Sequence, residues 1–294
     1  MTHDEQNKYR ASTPLVEAIF MDNEQESLKW IAELIETGED LNAFDYIAQT
    51  IPIEAAWREC VFDDHKSDAA VNLLLDNGVQ VEPIESLGFY LTNLFVLGPI
   101  QLTIRLIENG FRLSSQYSST PIDEKTSEYD NLLTELLKAD LLDKVELLKP
   151  FGILEFIDVF DDIGDSPLNT MASEGDRVLA EWLLKHGADI NAHSESLIGS
   201  TALERAVKNR HLKMIEFLLN RGANPNIRAS MWKTVTERVS EFGSLKKKGI
   251  HDSNKDSDLI EIKRMVLEAS KNFPPPMRPD GSIPTVWPPD PKPK

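Results

Sequence analysis

Apolar residues along this chain recur in a two-part pattern. A short stripe at helical spacing comes first, then a second stripe that closes on a Leu-Leu or Leu-Ile pair and a Gly. The pattern is clearest over Gly164–Ala192 and Gly199–Ile227, where Leu168 and Leu203, Leu183 and Leu218, and Gly187 and Gly222 are each 35 residues apart. Three landmarks in one register define an internal repeat. A worn version runs upstream. Leu91, Leu94, Gly98, Leu106-Ile107 and Gly110 hold the spacing, and Leu132 leads to Leu147-Leu148 with Phe151-Gly152 at the close. Pro52-Ile53-Glu54-Ala55-Ala56 leads to Leu74-Leu75 and Gly78 across an insertion at Asp63-Asp64-His65-Lys66, and Thr13-Pro14-Leu15 leads to Leu34-Ile35 and Gly38. The result is six units, the first four degenerate.

The residue types explain the unit. A Thr hydroxyl caps orphan amides, Pro in the first turn has no donor to lose, and Leu begins the buried stripe. A small residue three positions on (Ala18, Ala56, Ala206) lets the helix approach its antiparallel partner. Gly after the second helix supplies a left-handed C-cap. Neither face can be buried within one unit, so the units must stack. Beyond them, Met231–Phe242 and Asp258–Ser270 read as two more helices around a polar stretch, 243–257. Residues 232–272 thus form a capping unit. Residues 1–11 read as a flexible N-terminus, and nine of the 22 residues in 273–294 are Pro, an extended or polyproline-like tail.

Residues 164–228 resemble ankyrin repeats, whose signature is Gly-x-Thr-Pro-Leu-His followed by Leu-Leu-x-x-Gly-Ala-Asp-x-Asn-Ala. Gly187-Ala188-Asp189-Ile190-Asn191-Ala192 is the full closing motif, and Gly222-Ala223-Asn224-Pro225-Asn226 is close to it. The resemblance implies an all-α fold: an ankyrin-repeat helical solenoid of six to seven helix-turn-helix units over residues 12–231, degenerate through 160, with a capping unit and a Pro-rich tail. The family His after Thr-Pro-Leu is replaced by Val16, Glu54, Asn169 and Glu204, so less regular stacking of neighbouring loops is expected.

Charge changes the picture. The net −18 is uneven, with 33 Asp and Glu against 11 Lys and Arg over residues 1–165. Such a field repels nucleic acid and anionic lipid and attracts basic surfaces. The single Cys60 excludes an internal disulfide framework and reads as a small core residue. No apolar leader and no 18-residue apolar stretch is seen, which points to a cytoplasmic protein. There is no Gly-rich phosphate loop, Gly-x-Ser-x-Gly elbow or His-Glu-x-x-His, and the six histidines are scattered. His186 and His211 fall at repeat positions where a structural role is the ordinary one, and no catalytic residue, cofactor or metal site is expected.

What remains is surface. In an ankyrin stack the exposed inner-helix positions and the tips preceding each Thr-Pro-Leu contact partners. By spacing, these are Asp45 and Tyr46, Arg58 and Glu59, Glu85, Phe89, Tyr90 and Asn93, Tyr117, Glu174 and Glu195. The resulting expectation is a non-enzymatic module, monomeric alone, that binds and occludes a basic protein, an immunity protein that neutralises a toxin being one concrete form. An adaptor using the repeats plus the Pro-rich tail is the alternative, and an enzyme with its site hidden in the degenerate units is the remote one.

Overall fold

The computed structural model describes residues 12–48, 50–63, 66–81, 95–113, 116–118, 129–194, 199–241 and 253–274. The chain divides into two compact units, Met1–Ile153 and Leu154–Lys294, close to where the worn repeats give way to the clear ones.

In the first unit the helices alternate inner and outer. They are α1 (Pro14–Ile19), α2 (Glu24–Glu36), α3 (Pro52–Phe62), α4 (Ala69–Asp76), α5 (Ile100–Glu108), α6 (Leu132–Lys138) and α7 (Leu142–Leu148). Residues 95–97 are helical and precede α5. Pro14 and Pro52 sit in first turns, and the Thr13 hydroxyl accepts from the Val16 amide. α1 packs on α2 and α3, and α3 packs on α4. Leu15, Ile31, Ile53, Leu74, Leu102 and Leu106 are all buried between the layers, each contributing about 1.5–3 kcal/mol through area removed from water. Among the described residues Trp57 is the largest buried side chain, with Phe95 and Phe111 meeting its ring edge-on at 5.3 and 6.1 Å. One feature departs from the all-helical expectation: β1 (Gln116–Ser118) and β2 (Tyr129–Asn131) form a short antiparallel pair leading into α6.

The second unit holds α8 (Pro167–Glu174), α9 (Arg177–Lys185), α10 (Ala202–Lys208), α11 (Leu212–Asn220), α12 (Val235–Glu241) and α13 (Ser253–Ser270). Ser166 and Thr201 cap α8 and α10 through their hydroxyls. The inner helices stack in series, α8 on α10 and α10 on α12, while α13 covers α11 and α12. Two boundaries differ from expectation. Residues 231–232 are not part of α12: Met231 and Trp232 have φ of +54° and +58°, outside any right-handed helix. α13 begins at Ser253, inside the stretch expected to be polar loop.

Where the ankyrin-type His after Thr-Pro-Leu is absent, other groups link neighbouring loops. Within the second unit, Asn169 Nδ2 donates to the Ser200 carbonyl of the next repeat at 2.7 Å. An Asx side chain four residues after the capping Gly reaches the next repeat's turn: Asn191 Oδ1 accepts from the Asn224 amide at 2.8 Å. In the first unit Asn42 does the same for the Gln80 amide at 2.7 Å.

Candidate functional site

Among the described residues, three tips that precede inner helices are short closed turns. In the first unit, Asp45 and Thr50 exchange backbone hydrogen bonds of 2.8 and 3.2 Å. The Asp45 carboxylate accepts from the Ile47 and Ala48 amides (both 2.8 Å), the Ser12 hydroxyl (2.7 Å) and the Thr13 amide (2.8 Å). Burial pushes this carboxyl up, but those donors outweigh it and hold Asp45 below the usual carboxylate range. The reading of Asp45 as an exposed contact is therefore corrected: it is fully buried and its oxygens are engaged within the fold. It raises its neighbours instead. Tyr46 is 42% and Ile47 60% exposed at the apex, with Phe44 edge-on to Tyr46 at 5.0 Å. Ile47 joins the candidate surface, its signal in the sequence being an apolar residue at a turn apex.

The second unit repeats the device. The Asp161 amide donates to the Asp165 carbonyl (2.9 Å) and the Asp165 amide to Asp161 Oδ1 (2.7 Å), placing Ile163 at the apex, 51% exposed. Burial and the neighbouring Asp165 and Asp162 push the Asp161 carboxyl up to about 6. A third tip closes where the Ala229 amide donates to Lys233 O, and it presents Met231 and Trp232.

The inner-helix positions are more occupied than expected. Arg58 lies 5.2 Å from the centre of the Phe20 ring, and half-buried Glu59 is raised by burial in spite of Lys66 and Arg58. Phe62 at the end of α3 and Leu97 after it remain exposed. In the second unit Arg205 is taken up by Asp165 at 2.7 Å, both largely buried, and Arg238 pairs with Glu204 at 2.8 Å. Burial raises the Asp165 and Glu204 carboxyls against the pull of these guanidinium groups. Glu174 is exposed. Glu85, Phe89, Tyr90, Asn93 and Glu195 lie outside the described residues. Tyr117 is placed by its backbone in β1, opposite Asp130.

A second recurring device closes the inner helices and was missed from sequence. Lys66 Nζ donates to the Ile19 carbonyl at 2.9 Å and to that of Met21, beyond the end of α1. Lys144 Nζ donates to the carbonyls of Phe95, Val96 and Gly98 at 2.9, 2.9 and 2.8 Å. In the second unit His211 Nε2 lies 2.8 Å from the Ser173 carbonyl; a carbonyl only accepts, so that nitrogen carries the proton. Each ties one repeat to the next by satisfying orphan carbonyls.

The exposed tip residues offer contact surface. Burial pushes the Cys60 thiol up to about 11, which leaves it protonated at neutral pH and a poor nucleophile. Among the described residues no group of three or more His, Cys, Asp or Glu is placed to hold a metal ion. Among them, too, no helix is long and apolar enough to cross a membrane. Charge separates the units: residues 1–153 carry 28 Asp and Glu against 11 Lys and Arg, net −17, while residues 154–294 carry 21 against 20, net −1.

Residues 128–229 match the family described as ankyrin repeats (3 copies). The chain is 37% identical over 82 residues to the ADP-ribosylation factor GTPase-activating protein AGD4 of Arabidopsis thaliana, covering 28% of this chain and 10% of that protein. It is 36% identical over 66 residues to an ankyrin repeat protein of Rickettsia felis, covering 22% of this chain and 29% of that one. The chain thus spans a small part of the length of these relatives. Among solved structures, the ankyrin repeat domain of Bcl-3 superposes with a TM-score of 0.54 at 20% identity, over 77% of this chain and 93% of that one. A chain from the complex of the predatory endopeptidase Bd0816 of Bdellovibrio bacteriovorus with immunity protein Bd3460 superposes with a TM-score of 0.53 at 21% identity, over 72% and 99%. At such identities the likeness shows the fold.

Proposed function

We propose that this chain, whose residues 128–229 match ankyrin repeats, binds a basic protein through its first unit and covers that partner's surface. Ankyrin repeats indicate a protein–protein interaction module. The basic partner and the occluding role are the further step. The observation that carries it is the net −17 of residues 1–153, combined there with a rigid tip that exposes Tyr46 and Ile47. A long-range acidic field speeds encounter with a cationic surface, and a desolvated aromatic anchor then supplies most of the dwell time. Buried Asp45 prepays the ordering of the turn, so Tyr46 and Ile47 lose little further freedom on binding.

An immunity-type role is the concrete form of this reading: one chain occludes one harmful protein. It is in keeping with the fold shared with a chain of a complex that contains an immunity protein, and cytoplasmic action belongs to the same proposal. The test is the complex with the protein that co-purifies from the native host. A one-to-one complex should form, Tyr46→Ala should weaken it by at least ~30-fold, as for a central aromatic anchor, and reversing exposed Glu17 and Asp40 to Lys should slow association. A complex indifferent to all three substitutions would sink the proposed surface.

A further inference from the structure

We propose that the chain's own Pro-rich tail, residues 275–294, docks on the strained Met231–Trp232 tip and covers it. The inference stands apart from the proposed partner and does not depend on the first unit.

The tip combines two features that rarely coincide. Met231 (φ +54°) and Trp232 (φ +58°) are consecutive non-Gly residues in the left-handed region, where an L side chain crowds its own backbone. Both are also large, apolar and open to solvent, at 68% and 51% exposure. A turn free of other demands would carry Gly or Asn here. This one is held in place by its surroundings. Arg228 donates to the Trp232 carbonyl at 2.8 Å, Arg238 donates to the Ser230 carbonyl at 2.6 Å, and the Ala229 amide closes on Lys233 O. Strain that neighbouring contacts over-determine, at a site displaying a tryptophan, points to a ligand for that ring.

The occupant is indicated by where the chain goes next. Asn226, at the base of the same tip, donates through Nδ2 to the Ser270 carbonyl at 3.2 Å and to the Pro274 carbonyl at 3.0 Å. Its own Oδ1 is fixed by the Thr236 hydroxyl at 2.8 Å. Pro274, the residue before the tail, is therefore tethered to Asn226, which lies six positions from Trp232 in the chain. Eight of the twenty residues that follow are Pro. Such a sequence favours polyproline II, at about 3.1 Å per residue, and exposed aromatic rings are the surface that recognises it. The tether makes the encounter intramolecular, with an effective concentration in the millimolar range, about that of a short linker. A weak proline–tryptophan contact is then enough to keep the site filled.

The full-length chain labelled with 5-fluorotryptophan tests this by fluorine NMR, one resonance arising from each of its five Trp. Trp232→Phe and Trp287→Phe assign the two that matter. Replacing residues 275–294 by an equally long Gly/Ser segment should shift the Trp232 line and at least double its relaxation by a soluble gadolinium chelate, leaving Trp57 and Trp182 unmoved. The single variant Trp232→Ala should in turn change the Trp287 line. A Trp232 line insensitive to the Gly/Ser replacement would overturn the proposal. So would a shift that grows with protein concentration, which would place the tail of a second copy, or a second molecule, on the tip.

Discussion

At the scale of residues, the structure turns on groups whose work the sequence hides. Asp45 was legible as a tip residue, but nothing local shows that Ser12 and Thr13, more than thirty positions away, donate to it. Asp45→Ala is expected to cost about 1–3 kcal/mol, because four part-buried donors lose their acceptor at once; chemical denaturation reads this directly. Its depressed pKa adds a pH signature. The folded form holds the carboxylate more tightly than the unfolded chain does, so this contribution is present above the ordinary Asp range and is lost as pH falls through the lower folded value. Asp161 has the opposite sign. Its carboxyl is raised to about 6, so its ionisation opposes folding, and stability from this group declines as pH rises from about 4 to 6. Asp161→Asn should therefore stabilise the chain at pH 7.5 by about 1 kcal/mol after discounting for its half-exposed setting. The gain should vanish near pH 4, and a gain of equal size at both pH values would refute the assignment.

At the scale of elements, caps and inter-repeat links carry the argument. Helix starts were readable because Thr13, Ser166 and Thr201 cap through short local bonds. The links between repeats were not, because they join residues 31–49 positions apart through side chains whose reach depends on the packed geometry. Gly175 shows the difference. It lies between α8 and α9 with a φ of +80°, which favours Gly, and a Cβ there would also stand 2.9 Å from His211 Nδ1. Gly175→Ala should cost about 1–3 kcal/mol, and less in a His211→Ala background, a coupling that a double-mutant cycle on thermal unfolding would detect. Arg205→Ala leaves Asp165 buried without its guanidinium partner, and should cost about 3–5 kcal/mol by urea titration. The β1–β2 pair and the late start of α12 were missed for a related reason. Gln116–Ser118 lacks the alternating pattern of a strand, and Met231-Trp232 reads as helix by apolarity alone although its backbone is left-handed.

At the scale of the whole molecule, the repeat period and the charge division were legible, since both are sums over many residues. The candidate surface was legible only as a row of positions. Of the tip and inner-helix residues expected, Tyr46 and Glu174 are exposed, Asp45 is buried, and Arg58 and Glu59 are partly used within the fold. Ile47, Phe62 and Leu97 were added by their exposure, a property that depends on what neighbouring repeats leave uncovered. The charge division makes the account testable without further detail. The most direct measurement is the affinity of the full chain for its co-purifying partner, by titration calorimetry between about 50 and 500 mM NaCl, a range over which the screening length shrinks severalfold. Affinity should fall at least tenfold across that range if the acidic first unit holds a basic partner; an affinity unchanged by salt would rule that attraction out.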